Sequence, residues 1–107
     1  RLSEAELDTF FRPLLHQSFV RRDMTRFLRA VSGRWTLEAA QTFSHFLHPV
    51  LLVWGKDDPF FSPRLAIRLQ QAFPDARLIY LSHTRAFVPL DQPEALAQHI
   101  LEFVPVA

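Results

Sequence analysis

The sequence has 107 residues, of which 49% are hydrophobic, and its formal net charge is +1. This length suits one domain or part of a larger one, and so high an apolar fraction excludes a disordered chain. The balanced charge does not indicate nucleic acid as a partner, and no apolar run is long enough to cross a membrane, so we expect a cytoplasmic protein.

Two scarce residue types exclude several kinds of site. The sequence has no Cys, which excludes a disulfide framework, a thiol nucleophile and a thiolate metal site. Its only glycines are Gly33 and Gly55. A dinucleotide-binding G-x-G-x-x-G, a phosphate-binding P-loop and a G-x-S-x-G nucleophile turn each need glycines at closer spacing. We therefore predict neither a cofactor nor a metal site.

The N-terminal segment carries a helix-start pattern. Ser3 and Glu6 have the spacing of a capping box, in which the hydroxyl accepts the amide of the Glu and the carboxylate reaches back. This pattern predicts a helix from Glu4 to Phe11. Pro13 should prevent its continuation, because proline lacks an amide donor and clashes with the preceding turn.

Two further helices are predicted before the first strand. Apolar residues recur at helical spacing over Ser18–Val31, which is typical of an amphipathic helix. Thr36 can cap a short helix over Leu37–Thr42. Residues 43–48 then form a connector.

An unbroken apolar run follows Pro49 and extends from Val50 to Trp54. It is β-branched and aromatic and too short for a helix, so it predicts a strand buried on both faces. Gly55 ends the run, and Asp57 and Asp58 follow it. Acidic residues just past the carboxyl end of such a strand lie where open α/β sheets bind their ligands.

The C-terminal half repeats the alternation of strand and helix. Ser62 is expected to cap a helix that begins at Pro63 and ends before Pro74. A second strand is predicted over Arg77–Leu81, followed by a loop over residues 82–90.

Asp91 is expected to cap the last helix. Two strands joined by a helix should be parallel, so the predicted fold class is α/β. Two parallel strands alone do not make a viable sheet, and the run from Val50 to Trp54 is apolar on both faces. We therefore expect the rest of the sheet to lie N-terminal to Arg1 or in a partner chain.

Three segments together resemble the C-terminal part of the α/β-hydrolases, in the group of epoxide hydrolases and haloalkane dehalogenases. They are PVLLVWGKDDP at 49–59, FPDARL at 73–78 and FVPLDQPE at 87–94. The resemblance implies that residues 48–107 form the C-terminal βαβα part of the hydrolase core. It implies, from a weaker match, that residues 1–47 form the end of a helical cap and the helix returning from it.

The resemblance also implies roles for individual positions. The acidic member of the family's catalytic triad follows the W-G-x-x-D strand, which places it at Asp58, where it would orient and stabilise a histidine base. The base precedes Phe in the family pattern H-F-x-x-x-x-x-P-E, and that position is Ala86 in this chain. The nucleophile, Ser or Asp on a glycine-flanked turn, would lie upstream of Arg1. His83 is the nearest substitute base, although three residues of loop separate it from Ala86.

Each of these residues also has a structural interpretation. Asp58 precedes a proline and is equally typical of a turn, and His83 is typical of an exposed loop. Trp54, Phe60 and Phe61 either line a substrate cavity or pack as core residues.

Three functional hypotheses remain open. The first is part of a cofactor-independent hydrolase that acts on a small hydrophobic ester, epoxide or carbon–halogen substrate and is inactive without the missing nucleophile and base. The second is a non-catalytic homologue that binds a ligand or acts as a scaffold. The third is an interaction half-domain that assembles with a partner chain.

Overall fold

The computed structural model describes residues 2–105, which form two compact units that meet in the sequence between Leu37 and Glu38. The predicted segment boundary at residues 47 and 48 stays a prediction, and the outer limits at residues 1 and 107 lie outside the described residues. The elements are α1 (Glu4–His16), α2 (Ser18–Ala30), α3 (Gly33–Ala40), a 3-10 turn (Phe43–His45), β1 (Val50–Gly55), α4 (Pro63–Ala72), β2 (Ala76–Leu81), α5 (Val88–Asp91) and α6 (Pro93–Phe103).

The capping box at the start of α1 forms as predicted. The Ser3 hydroxyl accepts the N–H of Glu6 at 3.3 Å, and the Glu6 carboxylate accepts the N–H of Ser3 at 2.7 Å. This backbone hydrogen bond holds the pKa of Glu6 below its usual value. The stabilisation is therefore present at neutral pH and is lost as the pH falls and the carboxylate is protonated.

The predicted end of α1 at Phe11 is wrong, because the helix continues through Pro13 to His16. Proline removes one helical hydrogen bond, but the turn that follows it is held from α2. There the Arg21 guanidinium donates to the carbonyl of Leu15 at 2.8 Å. The sequence pattern includes the cost of Pro13 but not this hydrogen bond from the neighbouring helix, which offsets it.

Helix α2 is confirmed, whereas α3 both begins earlier than the predicted Leu37 and ends earlier than the predicted Thr42. The Ser32 hydroxyl accepts the N–H of Arg34 at 3.2 Å and so satisfies a donor at the helix start. The Thr36 hydroxyl instead donates to the carbonyl of Gly33 at 2.8 Å. Ser32 therefore takes the role that the sequence assigned to Thr36.

The α/β fold class is confirmed by the two-stranded parallel sheet. Strands β1 and β2 pair from Val50 opposite Ala76 to Gly55 opposite Leu81. Each strand is one residue longer than predicted. Parallel pairing brings both carboxyl ends to the same edge of the sheet.

Burial of the sheet is shallower than the sequence predicts. The Val50–Trp54 run is only half-buried. Strand β1 has one neighbour, β2, in the sheet that residues 2–105 form. The buried apolar side chains within that range are Ala66, Leu81 and Val88. Many large apolar side chains are exposed, so the described residues bury far less apolar surface than their composition offers.

Two other details of the C-terminal half differ from prediction. Ser62 occupies the N-cap of α4, but its side chain makes no capping hydrogen bond. Asp91 does not cap α6, whose N-cap is Gln92. The Asp91 carboxylate instead accepts the N–H of Arg85 at 2.8 Å, and the short helix α5 begins within the predicted loop and ends one residue beyond it. None of the described helices is long and apolar enough to cross a membrane.

A close backbone crossing joins the ends of the two strands. The N–H of Lys56 donates to the Leu81 carbonyl at 2.9 Å, and the N–H of Asp57 donates to the Thr84 carbonyl at 3.0 Å. A Cβ atom at position 55 would lie 2.2 Å from the carbonyl oxygen of Arg85. Only glycine fits there, because the backbone of the loop occupies the space of a side chain.

We predict that Gly55→Ala destabilises the natural full-length polypeptide by more than about 2 kcal/mol, because its methyl group meets backbone that cannot move aside cheaply. Gly33→Ala is the matched control, since nothing lies within 4 Å of a Cβ there. It should change stability by less than about 1 kcal/mol, towards greater stability. Urea unfolding gives the free energy of unfolding of both variants. Equal changes in the two would contradict the close backbone crossing at Gly55.

We also predict that the 107 residues alone do not form a monomer with a cooperative thermal transition. A strand with apolar side chains on both faces and one open edge invites association. Size-exclusion chromatography with circular dichroism melting measures both properties. A monomer that melts cooperatively would show that the two-stranded sheet is self-sufficient.

Candidate functional site

A small, partly open cavity lies at the carboxyl ends of β1 and β2. Its volume is about 150 Å³. It is lined by Val53, Trp54, Gly55, Asp58, Phe61, Ala86 and Val88. Two positions that the resemblance singled out, Asp58 and Ala86, are thus brought together although 27 residues of intervening chain separate them.

Asp58 is half-buried and has a defined structural task. Its Oδ1 atom accepts the N–H of Phe60 at 2.8 Å and the N–H of Phe61 at 3.0 Å. Among the described residues, no hydrogen bond or ion pair involves its other oxygen, Oδ2. The side chain therefore closes the turn after β1 and keeps one oxygen for another donor, as an acid that orients a base must.

The aromatic residues predicted as a substrate wall separate into two groups. The Trp54 indole donates from Nε1 to the Phe61 carbonyl at 2.9 Å, and the two rings meet edge to face with centroids 6.5 Å apart. Both residues line the cavity. Phe60 does not line it, and its side chain is 78% exposed.

Ala86 lies on a loop that is fixed at several points. Thr84 is fully buried, and its hydroxyl donates to the Ser82 carbonyl at 2.9 Å. Asp91 holds the N–H of Arg85, the residue next to Ala86. These contacts hold the loop internally, and the N–H of Asp57, which donates to the Thr84 carbonyl at 3.0 Å, ties the loop to the end of β1. Residue 86 is therefore part of a structured wall and is itself half-buried.

His83 does not line the cavity. It is exposed and has a left-handed backbone with φ of 56°, which is uncommon for a residue other than glycine. Its role as a substitute base stays a prediction, to which this geometry adds no support.

Sequence reasoning missed the supporting residues of the site. Thr84 looks like an ordinary loop residue, and Asp91 carries the pattern of a helix cap. Gly55 could have indicated the backbone crossing from the sequence, since a glycine directly after an apolar strand often marks close approach of another backbone. Nothing in the sequence beyond its apolar side chain indicated that Val88 lines the cavity.

We predict that Asp58→Ala lowers the free energy of unfolding of the full-length polypeptide by about 1–2 kcal/mol, because two backbone donors lose their acceptor. Asp58→Asn keeps Oδ1 and should cost less than about 1 kcal/mol. Asp57→Ala, an exposed neighbour, is the control and should lie within about 0.5 kcal/mol. Urea-unfolding midpoints give the comparison, and equal losses for Asn and Ala at position 58 would contradict the hydrogen-bonding role.

Comparison with known proteins gives sequence relatives and a solved structure, while no family model matches the chain. An uncharacterized hydrolase, YugF of Bacillus subtilis, is 29% identical over 103 residues, which cover 96% of this chain and 36% of the relative. Haloalkane dehalogenase 2 of Mycobacterium tuberculosis and of Mycobacterium bovis is 40% identical over 55 residues, which cover 50% of this chain and 19% of the relative. The chain thus spans about a third or less of the length of these relatives.

The solved structure is MGS-MChE2, an α/β-hydrolase enzyme from a sediment metagenome of the Mar Chica lagoon in Morocco. It matches with a TM-score of 0.56 and 25% identity, over 60% of this chain and 29% of the other. Sequence and structural similarity therefore agree. The predicted resemblance to the α/β-hydrolase superfamily is confirmed for the part of the fold that this chain spans.

Proposed function

We propose that this chain supplies the acid and the base-bearing loop of an α/β-hydrolase-like site whose base position holds Ala86. The proposal depends on one observation, which is that Asp58 and Ala86 line the same cavity at the carboxyl ends of paired parallel strands. This is where open α/β sheets bind their ligands. The relatives named as hydrolases support the reaction class.

In a triad the base takes the proton of the nucleophile, and the acid stabilises the charge that forms on the base. Asp58 has an oxygen for that second task. The methyl group of Ala86 cannot accept a proton, and the 107 residues carry no G-x-S-x-G turn. We infer that these residues do not catalyse hydrolysis by this mechanism alone and that a nucleophile reaches the site from outside them.

We propose that the substrate is small and hydrophobic. Apart from Asp58, the cavity is lined by apolar side chains and Gly55. Haloalkane dehalogenase 2 is the name of a relative that matches half of the chain, which favours a carbon–halogen centre, with esters and epoxides as alternatives.

A partner for the sheet is part of the same proposal. The apolar run of β1 is half-buried, and within residues 2–105 the strand pairs with β2 alone; both observations support a further strand, from more of the same polypeptide or from another chain.

A second candidate is a non-catalytic homologue that binds a ligand or serves as a scaffold. Ala86 favours it, because a small apolar side chain stands where the family has its base and leaves the cavity open beside Asp58. The two candidates differ in the residue at the apex of the nucleophile turn of the full-length polypeptide. Ser or Asp supports the hydrolase, and a residue without a nucleophilic atom supports the binding protein.

The test is Ala86→His in the full-length polypeptide, assayed with p-nitrophenyl esters, an epoxide and a haloalkane. If the base alone is missing, turnover should rise at least about 100-fold, because a placed general base contributes that much or more. The rate should increase as the pH passes through about 6.5, where imidazole loses its proton.

Two controls separate a restored triad from an added imidazole. Ala97→His places a histidine on the exposed face of α6 and should give no gain. Asp58→Asn in the Ala86→His background should remove most of the gain, since the base then lacks its charged partner. No gain with Ala86→His, in a polypeptide that has a nucleophile, would overturn the lost-base account.

A further inference from the structure

The cavity beside Asp58 has the size and the chemistry of a binding site for a small ring. An apolar protein cavity of about 150 Å³ can hold a benzene molecule, and this one has the same volume. A five-membered aromatic ring is smaller than benzene and therefore fits. Ala86 contributes only a methyl group to the wall, so no long side chain enters from the loop.

The lining favours a flat ring that carries N–H donors and positive charge. Trp54 and Phe61 present aromatic surfaces that attract cations and stack on flat groups. Asp58 is the charged residue in the lining, and its Oδ2 atom has no hydrogen bond among residues 2–105. A half-buried carboxylate with an unused oxygen is a strong acceptor for a charged N–H group.

We propose that this cavity binds a free, protonatable nitrogen heterocycle of the imidazole type, with one ring N–H donated to Oδ2 of Asp58 and the ring between the aromatic wall and Ala86. The inference rests on the proposed function in that residue 86 is taken as the base position. It concerns binding and requires no nucleophile and no turnover. The two proposals can therefore fail separately.

The experiment is a titration of the full-length polypeptide with imidazole at pH 6, where the ring is largely protonated. The indole N–H signal of Trp54 in a nitrogen–proton NMR spectrum is the probe, because Trp54 lines the cavity and its N–H donates to the carbonyl of Phe61, which also lines it. Trp35 does not line the cavity and serves as the internal reference. We expect a saturable shift of the Trp54 signal with a Kd in the millimolar range and a much smaller change at Trp35.

Matched ligands and variants test the assigned contacts. Furan has the same ring size but neither an N–H group nor a charge, so it should bind at least about tenfold more weakly. Asp58→Asn keeps the turn and should weaken imidazole binding by a similar factor. Ala86→Leu should fill the cavity and abolish binding, whereas Ala97→Leu on the exposed face of α6 should leave it unchanged.

The imidazole and furan titrations can either support or overturn the proposed binding site. Saturable imidazole binding that Asp58→Asn weakens and furan does not reproduce supports the proposal. Equal binding of imidazole and furan, or imidazole binding that is unchanged in Asp58→Asn, overturns it, as does the absence of a saturable Trp54 shift. If Ala86→Leu loses its circular dichroism melt, the Asp58→Asn comparison decides, because that variant retains the turn acceptor.

Discussion

The crossing of Gly55 beneath the loop after β2 is the constraint on which the rest of the site depends. A side chain at position 55 would collide with the Arg85 carbonyl, so the two chain segments meet only because the strand ends in glycine. The amides of Lys56 and Asp57 then bond to carbonyls at the end of β2 and in the following loop. These contacts bring Asp58 and Ala86 to the wall of the same cavity. They do so through the backbone, and the two side chains need not interact directly.

The same arrangement explains why the site is well defined while the side chains of the sheet are only partly buried. Local backbone hydrogen bonds and one parallel strand pair fix the end of β1, and these contacts need no further strand. The apolar run of β1 is different, because the burial of its side chains depends on elements packed against both faces of the sheet. Its half-buried state therefore reflects incomplete cover of those faces within residues 2–105, whereas the cavity reflects the turn chemistry.

Sequence patterns predicted the features that depend on local physics and missed those that depend on contacts from elsewhere. The apolar run of β1, the capping box at Ser3 and the amphipathic period of α2 each indicated their element correctly. The end of α1 was missed because Arg21, on another helix, supports the turn after Pro13. The pattern around Asp91 predicts a helix cap, yet its carboxylate accepts the N–H of Arg85. The spacing of residues in the sequence does not show whether the Asp91 carboxylate accepts an N–H at the start of α6 or the N–H of Arg85.

The structural role of Asp58 in the turn after β1 bears on how Ala86 is interpreted. In a triad whose acid served only the base, loss of the base would leave a half-buried carboxylate with no partner, which is costly. Here Oδ1 accepts two backbone amides whatever stands at position 86, so the carboxylate stays useful to the fold without a histidine. The presence of an aspartate at this position is therefore weak evidence for present catalysis. Only Oδ2 is left for a base or a bound ring, because the turn already uses Oδ1.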